Sequence, residues 1–115
     1  MTDTEESVDF AKASDLLAPA EGEKEVVLKT TGKKIMIKRI NIGELSDIVR
    51  TAKDDEIKQF IYLVFKGMTR PKLNIDETGR LPMKVIMEIA GAVSKFSELD
   101  KESIEQIQNL LGTKQ

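Results

Sequence analysis

Residues 25–40 alternate apolar and polar side chains around a single glycine, and from Asn41 onward the apolar spacing becomes helical. A period of two suits a strand with one buried face, whereas a period of about 3.6 suits a helix with an apolar stripe. The chain is therefore committed to a hairpin followed by helices. In EVVLKTT (25–31), Val26, Leu28 and Thr30 alternate with Val27, Lys29 and Thr31; in KKIMIKRI (33–40), Ile35 and Ile37 alternate with Lys34, Met36 and Lys38. Gly32 between the runs can take the positive φ of a tight turn. A lone hairpin is marginal in water, so it must lie on the helices or pair with another chain.

Asn41, with Glu44 three residues on, is a capping signature. It opens a helix predicted over 42–53, striped by Ile42, Leu45, Ile48, Val49 and Ala52. Asp54 or Asp55 caps a second helix over 55–68, whose Ile57, Phe60, Ile61, Val64, Phe65 and Met68 form a continuous seam. Gly67 marks its end and Pro71 lies just beyond. TRPKLNIDETGRL (69–81) reads as a connection anchored by Leu73 and Ile75, with Asp76 to Gly79 a turn. Pro82 opens a helix over 82–97 carrying Val85, Ile86, Ile89, Ala90, Val93 and Phe96. Gly91 and Ala92 thin that helix and would let a neighbour approach. Asp100 caps a last helix over 100–111, with Ile104, Ile107, Leu110 and Leu111 on one side.

Upstream, 1–24 reads as an acidic, flexible segment. Within it Phe10, Ala13, Leu16 and Leu17 share one face of a short helix that Pro19 and Gly22 end. The predicted fold class is α+β, mostly helical: an N-terminal β-hairpin packed on a bundle of about four helices, one globular domain over 25–112.

The chain is 115 residues long, and 33 of them are Leu, Ile, Val or Phe, enough for one aliphatic core. Cys and His are both absent. That excludes disulfides, a thiol nucleophile, thiolate or imidazole metal sites and any triad with a His base. No apolar run reaches the roughly 18 residues of a membrane helix, and no basic-then-apolar leader is present. A soluble, cytoplasmic protein without a membrane partner is expected. Asp54-Asp55-Glu56 sits where a helix starts, and Asp76-Glu77 lacks the alternating oxygen ligands of a calcium loop. Thr31-Gly32-Lys33-Lys34 precedes a strand, not a helix, so it is no phosphate loop. No catalytic residue, metal or cofactor is expected, and the protein reads as a non-enzyme.

Residues 1–25 carry a net charge of −6 and residues 26–40 a net charge of +5. Lys33, Lys34, Lys38 and Arg39 are candidate anion contacts; the plainer reading is a solvated strand pair guarded by lysines. A pI of 5.3 and the lack of aromatics between Phe10 and Phe60 argue against nucleic acid. Met83 and Met87 lie four apart on one helix, where methionine suits an adaptable surface or fills a core.

The whole chain resembles the phage tail assembly chaperones, small proteins encoded just before the tape measure protein of long-tailed phages. Three stretches carry the resemblance: EVVLKTTGKKIMIKRI leading into NIGELSDIV, the helix DDEIKQFIYLVFKGM, and PKLNIDETGRLPMKVIMEIAGAVSKFSEL. In the third, Pro71, Leu73, Leu81, Pro82, Ile86, Ile89 and Ser97 match the family's pattern, while Phe96 stands where the family often has Leu. The match covers residues 25–99. It implies a chaperone that binds the tape measure protein and keeps it soluble while tube subunits polymerise, then leaves. Such a protein works in the host or bacterial cytoplasm and is absent from the mature virion. A longer form made by frameshifting, as in the family, implies the tail tube protein as a second partner. The expected partner surface is a groove between helices 55–68 and 83–96, formed by Ile61, Phe65, Met83, Met87 and the aliphatic stem of Lys84. Two other classes stay open. One is a nucleic-acid-binding regulatory module using Lys33, Lys34, Lys38 and Arg39. The other is a structural virion or adaptor protein that self-associates through the hairpin edge.

Overall fold

A computed structural model describes residues 8–18, 22–99 and 102. The elements in chain order are α1 (Ala13–Leu17), β1 (Glu23–Val27), β2 (Lys34–Lys38), α2 (Ile42–Ala52), α3 (Glu56–Gly67), β3 (Met68–Arg70), α4 (Ile75–Gly79) and α5 (Met83–Phe96). The fold is α+β, with an N-terminal antiparallel hairpin followed by helices. Val26 pairs with Ile35 and Glu23 with Lys38. The helices cover one face of the sheet, the face of Ile35 and Ile37. Ile37, Val64 and Val93 are fully buried at the centre, with Val49 and Ile89 beside them. This follows from the patterns: each helix has one apolar stripe and one core to bury it in.

Local signals act where they were read. Asn41 Oδ1 accepts from the Glu44 N–H at 2.8 Å, and Glu44 Oε1 accepts from the Asn41 N–H at 3.1 Å. Asp55, not Asp54, caps α3 by accepting from the Lys58 N–H. Gly32 has φ 72°.

Four features differ from the sequence-based expectation. The strands are shorter at the turn, because Lys29 to Gly32 form a wider loop: the Gly32 N–H donates to Leu28 O at 2.7 Å and the Leu28 N–H to Lys33 O at 2.8 Å. The hairpin also gains a third strand. β3 leaves α3 directly and pairs with β2, setting Met68 against Ile37 and Arg70 against Met36. Three residues show no readable period, and β3 forms because the free edge of β2 needs hydrogen-bond partners. The Asp76–Gly79 turn is part of α4. Asn74 and Glu77 exchange backbone-to-side-chain bonds at 2.8 and 2.9 Å, and Thr78 is fully buried with its hydroxyl donating to Asn74 O. Finally, the close helix contact is not at Gly91, which has open space around it, but at Gly67, which lies against Val93.

The helix expected over 100–111 lies outside the described residues except for 102. Of the acidic segment 1–24, residues 1–7 and 19–21 also lie outside them. Residues 8–18, including α1, are exposed throughout, so the short helix does not dock on the domain.

Candidate functional site

An apolar groove runs along α3, walled on its other side by α4. Lys58, Ile61 and Tyr62 line it from α3; Ile75, Asp76, Gly79 and Arg80 line it from α4 and its C-terminal end, enclosing about 330 Å³. Gly79 lies beside Ile61 without crowding, since a Cβ there would sit 4.0 Å from Ile61 Cδ1, an ordinary contact. Ile57, one turn before Ile61 on the same stripe, is largely exposed and extends the apolar track. Arg80 and Asp76 pair at 3.5 Å on the rim, both well solvated.

Of the five residues expected to form the partner surface, Ile61 alone lines this groove. Phe65 is half-buried, and Lys72 covers it, its ammonium 4.7 Å from the ring centroid and donating to Phe65 O at 2.9 Å. Met83, Lys84 and Met87 lie together on the first turns of α5. Met83 keeps 57% and Met87 45% of its surface exposed, although neighbouring Val85 and Ile86 are buried. α3 and α5 touch directly at Gly67 and Val93, and the wider cleft on α3 faces α4. A smaller pocket of about 70 Å³ between α2, α3 and α5, with Phe60, Leu63 and Ser94 in its lining, holds none of the five expected residues. Tyr62, Ile75 and Arg80 become walls because a connecting segment folds as a helix.

The four candidate anion contacts do not converge on one point. Lys38 Nζ bonds both Glu44 oxygens at 2.7 and 2.8 Å and also donates to Arg39 O. Partial burial pushes the Glu44 carboxyl up, but the Lys38 bond, the Asn41 N–H and the Lys38 and Lys66 charges outweigh it and hold it below its usual value. Arg39 lies over the Phe96 ring, its guanidinium carbon 4.0 Å from the centroid. Lys34 sits 3.6 Å from Glu25 in solvent. Lys33 is exposed in the hairpin loop.

A second cleft, of about 380 Å³, opens on the other face of the sheet, lined by Glu25, Lys34, Ile35, Met36, Arg70 and Pro71. It exists because β3 brings Arg70 opposite Met36.

Two polar side chains with no local sequence signal tie the hairpin to α5. Glu88 accepts from the Lys29 and Thr30 N–H groups and from the Thr30 hydroxyl. The Thr30 hydroxyl first, then the Lys29 N–H, holds the Glu88 carboxyl below its usual value. Ser97 Oγ accepts from the Ile40 N–H at 2.8 Å.

Among the described residues no group of three or more acidic side chains is arranged to hold a metal ion. None of their helices is long and apolar enough to cross a membrane. No family model matches the chain, and no curated protein or solved structure matches it.

Proposed function

We propose that this protein is a non-enzymatic tail assembly chaperone that binds the tape measure protein of a long-tailed phage in the host or bacterial cytoplasm, with the tail tube protein as a further partner. The observation that carries the reading is the open groove between α3 and α4, with an Ile and Tyr floor and a charged rim. A groove of this make suits the apolar stripe of an amphipathic helix, anchored at one-turn spacing. Its shallowness suits an escort that must later be displaced, since a few anchors give moderate affinity. Met83 and Met87 offer a second adaptable apolar surface on α5. The nucleic-acid alternative draws little support from the cations, because Lys38 is engaged with Glu44 and Arg39 with Phe96.

The test is binding of helical tape-measure fragments by isothermal calorimetry to the chain and to an Ile75→Asp variant. Ile75 is partly exposed and lies outside the buried core, so the variant should fold, as circular dichroism checks. A loss of about tenfold or more in affinity is expected. Unchanged affinity in a folded variant removes the groove from the proposal. Failure of every tape-measure fragment to bind the unaltered chain removes the chaperone reading itself.

A further inference from the structure

The two most exposed large apolar side chains among the described residues, Phe10 at 98% and Leu16 at 72%, lie in the segment before the hairpin. An exposed ring normally carries a cost that a fold or a partner removes. Phe10 also has an acid beside it, Asp9, within a head that carries a net charge of −6 over residues 1–25.

The cleft on the open sheet face offers the complementary chemistry. Half-buried Met36 lies between Glu25, opposite it on β1 and paired with Lys34 at 3.6 Å, and Arg70, opposite it on β3. Arg70 is exposed, and among the described residues its guanidinium has no side-chain partner. A methionine sulfur favours the edge of an aromatic ring, and a guanidinium beside it favours a carboxylate. One acid next to one aromatic is the ligand such a cleft fits.

We infer that Asp9 and Phe10 of a second copy of this chain dock in the Met36–Arg70 part of this cleft, ring on thioether and carboxylate on the Arg70 guanidinium, away from Glu25 and its partner Lys34. Within one chain the two halves do not meet: Phe10 is bare and the cleft is open. With α1 kept helical, the stretch from Phe10 to Glu23 spans at most about 35 Å, enough to reach a neighbouring molecule. Reciprocal exchange of the two segments closes a two-fold dimer rather than an open chain. This site is separate from the α3–α4 groove and does not depend on the chaperone reading.

The experiment is analytical ultracentrifugation of the full chain over a concentration series. A monomer–dimer equilibrium is expected, weakened by added salt. Phe10→Ser and Arg70→Glu should each weaken it by about tenfold or more, and Asp9→Arg combined with Arg70→Glu should restore most of the loss. Phe10 touches no core residue, so its variant tests the claim even where Arg70→Glu impairs folding. A strict monomer at the highest concentration overturns the inference, as does a dimer that Phe10→Ser leaves unchanged. A monomer in which Phe10→Ser shifts the Met36 methyl resonance overturns it too, since the segment would then dock on its own chain.

Discussion

Gly67, the last residue of α3, lies so close to Val93 in the last turn of α5 that a Cβ on it would sit 2.6 Å from Val93 Cγ1 and 2.7 Å from Cγ2. Val93 is fully buried and cannot swing away. Gly67→Ala should therefore destabilise the fold by about 2–3 kcal/mol through overpacking. Val93→Ala alone opens a small cavity. The double variant should be more stable than the sum of the single losses allows, because the new methyl fills that space. Urea midpoints of the four proteins measure the coupling, and strict additivity would refute the contact.

Lys53 joins α2 to α3 at φ 53° and ψ −120°. That region is costly for any residue with a Cβ and easy for glycine. Lys53→Gly should raise stability by about 0.5–1 kcal/mol after the extra entropy of the unfolded chain is counted. Its carbonyl, which accepts from the Gln59 side chain, is kept. A lowered thermal midpoint would count against the strain.

Acid should loosen the hairpin from α5. The Glu88 and Glu44 carboxyls are both held below their usual value in the folded chain. Each thus contributes stability above its unfolded value, and that contribution is lost as pH falls through the folded value. Glu88→Gln should leave a smaller fall in thermal midpoint between neutral pH and about pH 3. Amide exchange at Lys29 and Thr30 should speed up in the same variant, since both N–H groups lose their charged acceptor.

Ser97→Ala should cost about 1–3 kcal/mol, because it strands the N–H of buried Ile40. Ser97→Thr keeps the hydroxyl and should cost less. Equal losses in chemical denaturation would show that bulk rather than the hydrogen bond matters at this position.

The groove and the clamp were legible to different degrees. Ile61 was visible as part of a seam. Its partner Ile75 was visible only as an anchor of a connection, since the five-residue α4 is too short to show a period. Its cap was nonetheless written in Asn74 and Glu77, the same pairing that opens α2 at Asn41 and Glu44. Glu88 could not be assigned to Thr30 from sequence, because 58 residues separate them and either could have faced water. Met83 and Met87 could have been core or surface, and packing left them outside.

By itself the chain of residues determined what depends on near neighbours. The alternation around Gly32 makes a hairpin, the caps at Asn41 and Asp55 start helices, and the lack of Cys and His removes whole classes of chemistry. Only the tertiary structure decided that β3 completes the sheet, that α4 rather than α5 walls the open groove, and that Arg70 comes to lie opposite Met36. Those outcomes depend on which surfaces meet once the aliphatic stripes are buried together. Burial is non-directional, so the stripes require a shared core while shape and backbone pairing choose among its arrangements.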